Sequence, residues 1–182
     1  MAPRQLPAGK RGQPGFTLLE LLVVLILVGI MASLATLSIG DGGERKLRSE
    51  AERLAGALRL ARDELLITGE AERALGLRRD GYSFLELVIL DDATREWRPV
   101  VDPLLGPRLL DSDLLELDLE IDGERRGLRQ TGDSWEPHIR LGNTGEMTPA
   151  VITLRIPRRG MERHLEIGLE GRVEVRDALP ER

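Results

Sequence analysis

The longest apolar run in the chain is Leu21 to Ile39, nineteen residues without a charged side chain. A bilayer core about 30 Å thick is crossed by a helix of about twenty such residues, so the run predicts a membrane-crossing helix over Phe16 to Ile39. Gly40-Asp41-Gly42-Gly43 follows, and a glycine costs roughly 1 kcal/mol against alanine inside a helix, so a kink or break is predicted there. Asp41 with Glu44 three residues on has the form of a capping box and restarts the helix. From Glu44 to Ile67 the positions Leu47, Ala51, Leu54, Leu58, Ala61 and Leu65 recur at spacings of three and four, which is one face of an amphipathic helix. Arg45, Glu52, Arg59, Arg62 and Asp63 fill its polar sides, and Thr68-Gly69 ends it.

Beyond Gly69 the period falls to two. Leu115, Leu117, Leu119 and Ile121 alternate with acids, Ile152, Leu154 and Ile156 with Thr153 and Arg155, and Leu165, Ile167 and Leu169 with His164 and Glu166. Val173 and Val175 make a last strand, with Glu170-Gly171 as a tight turn before it, and Tyr82 to Leu90 reads as a strand covered on both faces. The stretches 101–107, 122–135 and 142–149 read as loops and 157–160 as a turn. The predicted fold is α+β: a long N-terminal helix, first transmembrane and then amphipathic, packed on an antiparallel β-sandwich-like domain. Its parts are a leader at 1–15, a membrane helix at 16–39, an amphipathic helix at 40–68 and a β domain at 69–182.

Charge gives the chain a direction. Arg4, Lys10 and Arg11 precede the apolar run with no acid among them, which keeps the N-terminus in the cytoplasm and sends everything after Ile39 across the membrane. The whole chain carries −5; taking away the three leader cations and the one acid Glu20 leaves residues 41–182 at −7. So acidic a domain is a poor binder of nucleic acid or anionic lipid. There is no cysteine, which excludes disulfides, thiolate metal sites and a thiol nucleophile. Aromatic residues are 3% of the chain, too few for stacking platforms.

One acid stands out. Glu20 lies at the head of the apolar helix, where an ionised side chain in hydrocarbon costs roughly 2.5 to 3.5 kcal/mol. Gly15-Phe16-Thr17-Leu18-Leu19-Glu20 after a short basic leader resembles the processing junction of type IV pilins and type II secretion pseudopilins. The resemblance implies a cut by prepilin peptidase between Gly15 and Phe16, N-methylation of Phe16, and Glu20 as the fifth mature residue. The Phe16 amine can then pair with Glu20 of a neighbouring subunit and set register between helices. Further along, Ser49-Glu50-Ala51-Glu52-Arg53-Leu54-Ala55, Arg59 to Glu64, Gly81-Tyr82-Ser83-Phe84, Trp97-Arg98-Pro99 and Gly145-Glu146-Met147-Thr148-Pro149 resemble the H class of minor pseudopilins. Asn143-Thr144 departs from it, since that class often has two serines before the glycine.

What the family implies is a non-catalytic subunit of the periplasmic pseudopilus, at or near its tip, anchored in the inner membrane and supporting protein secretion. Its partners are prepilin peptidase, other minor and major pseudopilins, the inner-membrane secretion platform and exoprotein substrates; it needs no cofactor or metal. The alternative within the superfamily is a minor pilin of a type IV pilus, active in pilus assembly or DNA uptake. Its cationic cluster would be Arg155, Arg158, Arg159 and Arg163. A secretory signal cut after Ala35 explains neither Glu20 nor the Gly-Phe junction, and a plain single-span anchor, left uncut, is the other competing reading. Asp133, Ser134 and His138 can be drawn as a catalytic set but lack a nucleophile elbow. Asp91-Asp92 and Asp111-Ser112-Asp113 offer oxygens to calcium without the glycine and distal glutamate of an EF-hand. His164 is expected on the solvated face of its strand.

Overall fold

The computed structural model describes residues 18–69, 72–91, 93–111, 114–130, 132 and 134–177, with residues 32–41 described in backbone only. One helix, α1, runs from Leu18 to Thr68, and the predicted interruption at Gly40 to Gly43 does not end it. Asp41 lies inside the helix instead of capping a second one. The reason is that glycine weakens a helix without removing a hydrogen bond or adding a clash, as proline would. By compactness the chain divides at this stretch all the same, into Met1–Asp41 and Gly42–Arg182.

In the second unit the predicted stripe is the seam on which the domain closes. Leu47, Ala51, Leu54, Leu58, Ala61 and Leu65 are all fully buried. At about 1.5 to 3 kcal/mol for each large apolar side chain taken from water, this seam is a main source of stability. It packs on two antiparallel sheets, which among the described residues hold ten strands. The first holds β1 (Arg73–Arg78), β2 (Gly81–Ile89), β3 (Arg95–Pro99), β4 (Arg108–Leu109) and β7 (Pro137–Leu141), in the order β3-β2-β1-β7 with β4 also on β2. The second holds β5 (Glu116–Ile121), β6 (Glu124–Arg126), β8 (Ala150–Ile156), β9 (Met161–Ile167) and β10 (Val173–Arg176), in the order β10-β9-β8-β5-β6. Leu75, Leu77, Phe84 and Ile139 of the first sheet share one core with Leu117, Ile152, Leu154 and Leu165 of the second. The α+β architecture of a helix packed on antiparallel sheets is therefore as expected.

The predicted strands at 115–121, 152–156, 165–169 and 173–176 appear as β5, β8, β9 and β10, and β8 joins β9 through the turn Pro157–Arg159 and Gly160. β2 is covered on both faces only over Gly81–Leu85, and its far end is exposed. The loop predicted at 122–135 contains β6 and is pinned at its end by Arg78, which is buried and lies 4.0 Å over the Trp135 ring. A guanidinium on an indole face is a cation–π contact, and Asp80, 3.1 Å away, balances its charge.

The polar flank of α1 departs from the sequence reading. Arg59 Nη2 donates to the Val173 carbonyl and Arg62 Nη1 to the Gly171 carbonyl, both at 2.7 Å, so these arginines clamp the helix to the β9–β10 hairpin and do not simply face water. Glycine makes the approach feasible. Gly171 has φ 75°, and a Cβ there would lie 2.3 Å from the Gly145 carbonyl oxygen. Gly171→Ala is therefore expected to destabilise the protein by about 1 to 3 kcal/mol or more, whereas Gly56→Ala, unobstructed inside α1, is expected to stabilise it by about 0.5 to 1 kcal/mol; thermal melting of the two variants checks this. Leu58→Ala, at a fully buried seam position, is expected to cost about 2 to 5 kcal/mol in denaturant unfolding.

Candidate functional site

The assembly motif begins outside the described residues: Gly15 and Phe16 both lie there. Glu20 is described, in the first turn of α1, and it is exposed. Every residue from Leu18 to Met31 is exposed, and all but Glu20 and Gly29 carry large apolar side chains. A helix that is apolar on all sides is stable only when hydrocarbon or other helices cover it. Among the described residues no helix is long and apolar enough to cross a membrane; the side chains at 32–39, a third of the predicted span, are not among them. The chemistry available at this end is that of association, a single carboxylate set in a greasy rod.

The β domain offers little to a reaction. Of the drawn catalytic set, Asp133 lies outside the described residues and Ser134 is exposed. His138 is committed elsewhere: its Nδ1 accepts the Leu77 amide at 3.2 Å. Burial holds its pKa below the usual histidine value, opposed by a hydrogen bond to the Glu136 main chain. Such a ring is a neutral acceptor that stitches β7 to β1. For the calcium sites, Asp92, Ser112 and Asp113 lie outside the described residues, and Asp111 pairs with Lys46 at 2.8 Å. No group of three or more candidate metal ligands occurs among the described residues.

His164 is a correction. It is buried, not solvated, although it stands on the strand face predicted to point outward. Nδ1 lies 3.0 Å from the Thr153 hydroxyl on β8, and Nε2 lies 3.4 Å from Glu162. Long charged side chains roof over this face: Arg155 reaches Glu116 at 3.0 Å and Asp118 at 3.1 Å. Arg163 is likewise spent, on Glu44 at 3.2 Å and Asp177 at 3.2 Å. Two members of the cationic cluster drawn for DNA binding are thus already neutralised by carboxylates, which takes away the counterion release that DNA affinity depends on.

A long helix headed by an apolar segment and packed on antiparallel sheets defines a pilin-like subunit. Residues 10–36 match the model of the prokaryotic N-terminal methylation motif, a span that includes Gly15, Phe16 and Glu20. The chain is 35% identical over 178 residues to the type II secretion system protein H of Pseudomonas aeruginosa, covering 91% of this chain and 98% of that one. It is 33% identical over 153 residues to the protein H of Aeromonas hydrophila, covering 78% of this chain and 80% of that one. The chain belongs to the type II secretion system protein H family, the H-type minor pseudopilins. Its fold is similar to that of the minor pseudopilin EpsH of Vibrio cholerae, with a TM-score of 0.54 at 16% identity over 72% of this chain and 96% of that one. The solution structure of GspH from Escherichia coli gives 0.55 at 18% identity, over 76% of this chain and 94% of that one.

The pH dependence of folding follows from His138. Its folded pKa is lowered, so the stability it lends is fully present above the unfolded value of about 6.5 and is lost as the pH falls toward the folded value. The melting temperature is expected to drop between about pH 7.5 and 5.5, and to drop less in His138→Gln, whose amide accepts the Leu77 hydrogen bond without titrating.

Proposed function

We propose that residues 16–39 hold this chain in the inner membrane, with the N-terminus cytoplasmic and the β domain periplasmic. Prepilin peptidase cuts between Gly15 and Phe16 and the new N-terminus of Phe16 is methylated. The same helix then leaves the lipid for the core of the pseudopilus, where the subunit takes a place at or near the tip beside other pseudopilins. The filament works on the inner-membrane secretion platform and supports export of exoproteins. The chain contributes surface and register to this machine, and no catalytic step.

The observation that carries this reading is the all-round apolar exposure of Leu18 to Met31 with Glu20 inside it. Lipid covers the apolar surface before assembly and neighbouring helices cover it afterwards, so the segment is stable in both states. Glu20 is costly in the first state and is offset in the second by a cationic Phe16 amine on the next subunit. That difference favours the assembled helix and fixes its stagger, because removing one partner of a buried ion pair costs about 3 to 5 kcal/mol.

Intact-mass and N-terminal analysis of the protein from membranes of cells with a prepilin peptidase is expected to give a chain beginning at N-methylated Phe16. A soluble chain beginning at Thr36 would overturn the processing reading. Glu20→Ala is expected to be cut normally yet to lose most filament incorporation and secretion; full secretion by that variant would remove Glu20 from the register role.

A further inference from the structure

The stretch from Pro99 to Leu109 is an ordered loop that shows apolar side chains to solvent. Its order comes from the backbone: Val100 N donates to the Phe84 carbonyl and Phe84 N to the Leu105 carbonyl, both at 2.9 Å, which lays the loop along β2. The Asp102 carboxylate accepts from Leu104 N at 2.7 Å and Leu105 N at 3.0 Å, and these bonds hold its pKa below the usual carboxylate value. Gly106 closes the turn through a 2.8 Å bond to the Asp102 carbonyl, and a Cβ there would lie 2.6 Å from that oxygen. Leu105 is buried as the anchor. Against this fixed frame Val101 is 100% exposed, Leu104 54% and Leu109 65%. Pre-ordered apolar surface on a loop is the mark of a contact site, since no ordering entropy remains to be lost on binding.

The loop and α1 bound a groove of about 680 Å³, with Val101, Pro103, Leu104 and Leu109 among its apolar walls, Arg53 and Arg108 as its cations and Asp102, held by the Leu104 and Leu105 amides, as its acid. The two arginines differ. Arg108 is neutralised by Glu50, to which its Nε donates at 2.9 Å while its Nη2 binds the other carboxylate oxygen. Arg53 is exposed and makes no ion pair among the described residues. Next to both lies Tyr82, paired with Arg108 in the β2–β4 register and 1% exposed. Its hydroxyl is buried without a hydrogen bond of normal geometry, although the Arg53 guanidinium is close enough to act on it. Burial raises the Tyr82 pKa, so the hydroxyl stays a neutral donor. An exposed cation without a carboxylate of its own is what an incoming carboxylate pairs with.

We propose that this groove docks an apolar segment of a partner protein that carries one carboxylate, its apolar side chains on Val101, Leu104 and Leu109 and its carboxylate on Arg53. The partner is another protein and not a second copy of this chain, because two domains of net −7 repel one another. The groove lies on the β domain and the amphipathic half of α1, away in sequence from Leu18 to Met31, so it adds a specific contact to the general packing that the apolar segment supplies.

The test uses the full chain in cells that hold its secretion apparatus, with a photo-reactive phenylalanine at Val101 and, as control, at Leu169, which is 63% exposed in another loop. The expected result is one dominant adduct from position 101, with the linked peptide apolar and bearing an Asp or Glu near the link. Arg53→Glu is expected to reduce that adduct more than about tenfold, and replacing the partner's acid by lysine to restore it. Unchanged melting of Arg53→Glu excludes misfolding as the cause. No adduct above the Leu169 control, an adduct with a second copy, a linked peptide without an acid, or indifference to Arg53→Glu would each overturn the proposal. An adduct that meets every condition but joins a protein outside the secretion apparatus would support the groove and count against the assembly reading.

Discussion

Burial of the Leu47–Leu65 seam against two sheets is the constraint from which the rest of the domain follows. A single helix face must satisfy both sheets, and small residues at Ala51, Ala55 and Ala61 let the backbone come near while Leu54, Leu58 and Leu65 fill the space between. Around that seam the helix cannot rotate without exposing leucine or burying charge. The flanking arginines then become clamps because the seam brings them within reach of the β9–β10 hairpin, where carbonyls at Gly171 and Val173 have no other donor as strong. The glycines at 145 and 171 follow in turn, since the loops that carry them meet where a side chain has no room.

The same helix answers to a different rule over Leu18 to Met31. There it has no polar side at all, apart from Glu20. The contrast between an all-round apolar half and a one-sided half is the physical difference between a segment meant for changing apolar surroundings and one fixed in a core. Glycines at the junction lower the cost of bending without interrupting the hydrogen-bond ladder, which is why the helix is continuous although the chain divides compactly at that point.

Much of this was legible in the residues, for reasons of period. The seam, β5, β8, β9 and β10 each repeat at 3.6 or 2, and burial follows the pattern in the seam, β5 and β8, whereas in β9 His164 on the polar face is also buried and Leu169 beyond its end is exposed. β1, β3, β4, β6 and β7 were not legible. β1 is buried at almost every position and so does not alternate, β3 and β6 are mostly exposed, and β4 is two residues long. Their pairing is decided by neighbours and not by their own sequence. The break expected at Gly40 to Gly43 weighed glycine's propensity without the ladder it leaves intact. The assembly motif was read from Gly15, Phe16 and Glu20, of which the described residues contain only the last.

Charge was the least legible layer, and the reason is geometric. Arg155 reads as one cation among several near a strand, yet in the β5–β8 register it stands opposite Glu116 and next to Asp118, and it is saturated by them. His164 reads as outward-facing, and it is, but the same lattice of long side chains closes over it. A cation count along the chain cannot tell Arg155 from Arg53, because the difference lies in which carboxylates the fold brings near. Of the two, only Arg53 keeps its charge available on a surface that also has apolar walls. In a domain of net −7, a cation left without a carboxylate is the rarer condition, and at Arg53 it coincides with a rigid apolar loop.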